Sequence, residues 1–236
     1  MSGDSIRRVQ KALKDKGFDP GEIDGVWGRR SIAALKAFQA GAGLAVDGIP
    51  GPLSRAALLG ADVAEPPADG PQGLVWIEEA LHLLGTREGA GKVDNPVILN
   101  FAKNLDIDYP HDDIPWCGLF VAHCIGATLP EEALPASPLW ARGWTKFGEA
   151  TEPRLGAILV FWRGKRDGSN GHVGFYCGED GEAFHVLGGN QSDMVSKTRI
   201  GKNRLLAARW PRTAASLAST AVVVDSGGIG LSHKES

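Results

Sequence analysis

Pro115-Trp116-Cys117-Gly118-Leu119-Phe120-Val121-Ala122 opens an apolar run that continues to Leu129, long enough for a buried helix. Cys117 stands where that helix begins. A thiol at a helix N-terminus feels the positive end of the backbone dipole, which stabilises the thiolate. The other cysteines lack this setting: Cys124 lies deeper in the same run and Cys177 lies within an expected strand. Both read as inert core thiols. Three cysteines without paired spacing give neither a disulfide framework nor a four-ligand zinc site. Cys117 is therefore the expected nucleophile. Such a thiol needs a base that holds it as an ion pair and a third group that orients the base. His172, at the start of Gly171-His172-Val173-Gly174-Phe175-Tyr176, is the expected base.

Beyond Pro153, apolar residues fall in short runs rich in β-branched and aromatic side chains: 157–162, 172–177, 183–187, 195–200 and 205–210. Turn signals such as Asp167-Gly168 and Asp180-Gly181 separate them. Before Pro153 the spacing is helical: in Trp76, Ala80, Leu83 and Leu84; in 97–105; and in Trp140, Trp144 and Phe147. Helices first and strands second predict an α+β domain over 74–212 with an antiparallel sheet. Residues 61–73, with Glu65-Pro66-Pro67, Gly70 and Pro71, read as a linker. Residues 213–236 are rich in Ala, Ser and Gly and read as a flexible tail.

Residues 1–60 contain an internal echo. Asp24-Gly25-Val26-Trp27-Gly28 returns 23 residues later as Asp47-Gly48-Ile49-Pro50-Gly51. Each is followed by a serine, Ser31 or Ser54, and then by an alanine-rich apolar run. The order is turn, N-cap, helix: Asp-Gly supplies the positive φ of a tight turn and serine can cap a helix start. An earlier helix carries Ile6, Val9 and Leu13 on one face, and Ile32, Leu35 and Phe38 make the matching stripe.

Val9-Gln10 to Leu13, Gly21 to Gly28, Ala37-Phe38-Gln39, Gly43-Leu44 and Asp47-Gly48 to Gly51 resemble the peptidoglycan-binding domain of three-helix type. That resemblance implies binding to wall glycan or stem peptide, with Asp24, Trp27 and Asp47 as candidate wall contacts. In the larger domain, Pro115 to Ala122, Gly156 to Trp162, Gly171 to Tyr176 and Leu187-Gly188-Gly189-Asn190-Gln191 resemble the NlpC/P60 and CHAP group of papain-like cysteine peptidases and amidases. The resemblance implies a papain-like fold, helices packed on an antiparallel sheet, and amide hydrolysis by a Cys-His pair without cofactor or metal. Three positions depart from the pattern. Trp116 and Gly118 flank the cysteine where many members have Asp and Ser, and Gly188 stands where CHAP members carry an acidic residue.

The third residue is therefore sought by strand register, between Asn190 and His185. A two-residue turn at Asp180-Gly181 pairs Tyr176 with His185 and His172 with Gly189. His185 then lies four residues from the level of His172, roughly 13 Å along the strand at about 3.3 Å per residue. Asn190 misses direct opposition by one residue, which a bulge would repair. Asn190 is the expected third catalytic residue and His185 the alternative. Trp116, Gln191 and Trp140 are expected substrate contacts, although the i, i+4 spacing of Trp140 and Trp144 also suits a core pair. His111 reads as a loop or rim residue, and His123 lies almost two turns beyond Cys117.

Hydrophobic residues make up 43% and charged residues 22%, so a sizeable core is expected, and the net charge of −3 with scattered Lys and Arg does not suit a nucleic-acid binder. No apolar run reaches the roughly 20 residues of a membrane span, and Met1 to Arg8 lacks the apolar core of a signal peptide. These features predict a monomer made in a host cytoplasm that meets peptidoglycan after release. The expected activity is that of a phage endolysin, cutting either the N-acetylmuramoyl-L-alanine amide or a stem-peptide bond. A delivered antibacterial toxin shares these features, and a catalytically inactive wall-binding protein is the non-enzymatic alternative.

Overall fold

Two buried glutamines organise the N-terminal unit. Gln10 lies on α1 (Gly3–Asp15) and Gln39 on α2 (Arg29–Gly41), each 1% exposed. The Gly25 N–H donates to Gln10 Oε1 at 2.9 Å, and the Gln10 amide donates to Ser31 Oγ at 3.1 Å. The second half repeats the clamp: the Gly48 N–H donates to Gln39 Oε1 at 2.8 Å, and Gln39 Nε2 to Ser54 Oγ at 2.9 Å. Each glutamine thus fastens a glycine at positive φ, Gly25 or Gly48, to the helix that follows. Ser31 is not the expected cap; it lies inside α2, whose N-cap is Gly28. Ser54 likewise lies inside α3 (Pro52–Leu59). Ile6, Val9, Leu13, Ile32, Leu35 and Phe38 close the small core, as their spacing predicts.

The structure is a computed structural model and describes residues 3–25, 27–44, 46, 48, 50, 52–60, 74–91 and 93–214. The linker 61–73 and the expected wall contact Asp47 lie outside the described residues, as does the tail beyond residue 214. Thr213 and Ala214 are described. The Thr213 N–H and hydroxyl both donate to buried Glu132, so the chain is held one residue beyond the expected domain end.

Three α-helices lead into the second core: α4 (Val75–His82), α5 (Pro96–Lys103) and α6 (Cys117–Thr128). Asn95 caps α5 by accepting the Val97 N–H, with Pro96 pre-set for the first turn. Every residue of α6 from Cys117 to Ala127 is buried, which accounts for a helix apolar on all sides. The stretch around Trp140 and Trp144 was expected to be α-helical; it forms a 3₁₀ helix, Ala141–Lys146, whose Trp144 indole donates to Pro138 O at 3.0 Å.

Six strands follow: β1 (Glu149–Ala150), β2 (Ile158–Trp162), β3 (Gly171–Glu179), β4 (Ala183–Gly188), β5 (Ser196–Gly201) and β6 (Leu205–Trp210). They form one antiparallel sheet in the order β1-β6-β2-β3-β4-β5. The chain is α+β, with helices first and an antiparallel sheet after them. α6 packs on β3 and β4, where Phe120 meets Phe175 edge-on with ring centroids 6.0 Å apart.

The two cores meet at the far end of α6. Ala127 is part of the N-terminal unit's core. Asn100 on α5 donates to Asp24 at 3.2 Å, and Lys103 pairs with Glu22 at 3.2 Å.

Candidate functional site

The site begins at the first turn of α6. The leading N–H groups of a helix have no partner within it and point outward. The backbone amides of Val173 on β3, of Gly118 and of Cys117 itself favour the charged form of the Cys117 thiol. The thiol thus lies at a helix start, near the residue after His172. Gly118 is required by this packing: a Cβ there would lie 2.3 Å from Pro138 O and 2.8 Å from Leu139 O. Burial pushes the Cys117 thiol above its ordinary pKa, opposed by those N–H groups and by the charge of Arg163.

His172 is fully buried on β3. Its Nε2 lies 3.1 Å from Gln191 Oε1. The orientation of that amide is fixed by its other bonds. Gln191 Nε2 donates to the carbonyls of Ser196 and Val186, while Thr198 Oγ1 donates to Oε1 at 2.8 Å. Oε1 therefore faces the imidazole as an acceptor, which places the proton on Nε2 and makes Nδ1 the basic nitrogen. Gly188 leaves room for this pair: a Cβ there would meet Gln191 Oε1 at 3.0 Å and His172 Nε2 at 3.2 Å.

The structure separates the two candidates for the third position. His185 pairs with Gly178 and bonds Asp180 at 2.8 Å, and Asp180 also holds Arg199 at 2.7 Å. That cluster belongs to the far end of the hairpin. The hairpin turns at Gly181-Glu182 rather than at the expected Asp180-Gly181, so that Glu179 faces Phe184, and a bulge between Tyr176 and Gly178 then sets Phe175 opposite Leu187. Counted onward, this register sets Asn190 opposite His172. The ladder ends at Gly188, however, and Asn190 takes a left-handed backbone at φ 53°. The hydrogen bond to His172 Nε2 comes from the next residue, Gln191, which was expected to touch substrate and is 1% exposed. A Gln after Asn190 gave no sign of this, because the contact depends on how the loop turns back.

The remaining expected contacts divide by burial. The Trp116 ring is fully buried and donates to Glu88 Oε1 at 2.7 Å, so it braces the start of α6 rather than facing substrate. Burial raises the Glu88 carboxyl above its ordinary value; the Trp116 bond opposes this, and Asp193 and Asp112 add to it. Trp140 is 52% exposed, with its indole on Ser169 O, and keeps an accessible face. Trp27 is 4% exposed within the N-terminal core, which takes its ring out of wall contact. Both carboxylate oxygens of Asp24 accept amides, from Gln10 and Asn100. His111 lies on the exposed rim against Asp94 at 3.2 Å, and His123 is buried on Glu79 at 3.1 Å. Among the described residues no cluster of His, Cys, Asp or Glu could hold a metal, and no helix is long and apolar enough to cross a membrane.

No curated protein and no solved structure matches the chain. Residues 2–58 match the family described as "Putative peptidoglycan binding domain", and that assignment links the N-terminal unit to the bacterial cell wall.

Proposed function

We propose that the chain is a peptidoglycan hydrolase whose N-terminal unit brings a papain-like cysteine amidase or endopeptidase domain to the wall. The observations that carry this reading are the Cys117 thiol at the start of α6, near the Val173 amide that follows His172, and the Gln191 amide oxygen 3.1 Å from His172 Nε2. A buried imidazole held in one tautomer beside a thiol at a helix start has the geometry of an activated nucleophile.

The chemistry runs in two halves. His172 Nδ1 takes the Cys117 proton and the thiolate attacks an amide carbonyl. The oxyanion is stabilised by the Cys117 N–H at the positive end of α6. As the C–N bond breaks, the His172 imidazolium protonates the leaving amine, which leaves a thioester on Cys117. His172 then removes a proton from water, hydroxide adds to the thioester, and the thiolate departs with the acid released. Gln191 takes the orienting role expected of Asn190.

Cys117→Ala is expected to abolish release of wall fragments while full-length protein still sediments with purified sacculi. Undiminished release from the alanine variant would overturn the catalytic reading. Mass spectrometry of the wild-type digest assigns the bond: a new amine on L-alanine marks an amidase, and one further along the stem peptide or cross-bridge marks an endopeptidase.

A further inference from the structure

A cleft of about 390 Å³ opens where the N-terminal unit meets α5, remote from Cys117. One wall is the N-terminal unit, with Asp24, Arg29 and Arg30. The other is the end of α5, with Asn100, Lys103 and Asn104. The two walls are fixed to each other by the Asn100–Asp24 and Lys103–Glu22 contacts and by Ala127 in the N-terminal core. They approach closely, since a Cβ on Gly28 would lie 2.5 Å from the Asn104 amide nitrogen.

We infer that this cleft is a composite binding site for a peptide-bearing peptidoglycan fragment, read jointly by the N-terminal unit and α5. The inference rests on the wall-directed reading of the N-terminal unit and adds where, and with which partner surface, the wall is held. The lining suits that ligand. The exposed Arg29 makes no ion pair among the described residues, and Arg30 reaches Asp19 only at 3.9 Å. Two guanidinium groups on one wall match the carboxylates that recur along a stem peptide. On the facing wall the half-buried side chain of Asn104 makes no hydrogen bond among the described residues, so its amide is available to an N-acetyl group or a peptide bond. Stem peptides also carry amines, which the acidic residues of the same cleft can meet. Charged and amide side chains reach the cleft from both walls, which suits a polar, peptide-bearing ligand.

The position also has a consequence for delivery. Ala127, the anchor between units, is ten residues along α6 from Cys117, about 15 Å at about 1.5 Å per residue. A wall strand held at the junction keeps neighbouring stem peptides near the nucleophile and raises their effective concentration.

The test uses full-length protein carrying Cys117→Ala, so that the probe is not consumed, and a purified disaccharide-tetrapeptide titrated by calorimetry. Arg29→Ala and Asn104→Ala, one on each wall, are each expected to weaken binding by about tenfold or more. Thermal unfolding confirms that each variant is folded, and Arg29→Lys, which keeps the charge, should recover part of the loss. If Arg29→Ala weakens binding and Asn104→Ala does not, the ligand sits on the N-terminal unit alone and the composite site is refuted. If neither changes affinity while the protein still sediments with sacculi, the cleft is not the site and wall targeting stands. If the unsubstituted protein fails to sediment with sacculi, the wall-directed reading itself falls and the inference falls with it.

Discussion

Removing the Gln191 side chain tests whether the His172 contact is catalytic positioning or ordinary core packing. Gln191 Oε1 lies 3.1 Å from His172 Nε2 with both residues buried, so Gln191→Ala deletes a hydrogen bond that water cannot easily replace. A net buried bond contributes about 1 kcal/mol, and a partner left unsatisfied costs about 1–3 kcal/mol. Released from its acceptor, the imidazole can rotate and populate the other tautomer, which puts the proton on the nitrogen that has to receive one. A barrier increase of about 1.4–2.7 kcal/mol corresponds to a kcat about 10–100-fold lower, with KM little changed, because Gln191 is too buried to bind substrate. The same substitution loosens the loop, since Gln191 also bonds the Ser196 and Val186 carbonyls. Thr198→Val separates the two effects. It removes the hydroxyl that bonds Oε1 at 2.8 Å, lowering stability, but leaves the contact with His172 in place. Rates of fragment release should therefore fall for Gln191→Ala far more than for Thr198→Val at matched folded fraction. Nitrogen-15 NMR of the imidazole should show the Nε2–H tautomer in the wild type and a mixture in Gln191→Ala. A dominant Nδ1–H tautomer in the wild type, or wild-type kcat in Gln191→Ala, would refute the assignment.

Two further outcomes follow from the geometry. Gly188→Ala puts a methyl group 3.0 Å from Gln191 Oε1 and 3.2 Å from His172 Nε2, which forces the pair apart by a few tenths of an ångström. Fragment release should slow by about tenfold, on the order of 1.4 kcal/mol of barrier, with a nearly unchanged Tm; a large loss of Tm would show that the glycine serves packing alone. Asp180 is held well below the usual carboxylate range, first by Arg199, then by the Glu182 N–H and His185. A depressed folded-state pKa adds stability that is complete above the unfolded value of about 3.9 and is lost as pH falls below it. Urea unfolding should therefore weaken less steeply between about pH 5 and pH 3 for Asp180→Asn than for the wild type, and parallel pH curves would count against the ion cluster.

The α+β order was readable because period is a local property: a buried helix and five apolar runs with turn signals are written in consecutive residues. Four of the five runs lie within one residue of the observed strand bounds, and β3 continues two residues beyond its run. The places of Cys117 at a helix start and His172 at the head of a strand were readable for the same reason. What escaped was long-range. Ser31 and Ser54 looked like caps because a serine after a turn so often is one; their partners, Gln10 and Gln39, lie 21 and 15 residues back and show only once the helices pack.

The third position of the site shows the same limit most clearly. Register counting from the Asp180-Gly181 signal leaves Asn190 one residue short of His172; the hairpin instead turns at Gly181-Glu182, with Glu179 opposite Phe184, which moves the pairing by two residues, and a bulge at Cys177 takes one of them back. The count still does not choose the partner, because a ladder has to persist for its register to matter, and β4 ends at Gly188. Three non-glycine residues in left-handed conformation, Asn190, Ser192 and Asp193, then turn the chain back on itself, so the side chain that reaches His172 belongs to Gln191. The sequence does carry a trace of this in Gly188-Gly189, though not as the turn signal it resembles. A Cβ on Gly189 would lie 2.6 Å from both Phe120 and Trp116, and one on Gly188 would press on Gln191. The two glycines are small because α6 and the His172–Gln191 pair pass directly over them. Packing at the site, rather than turn propensity, sets their identity.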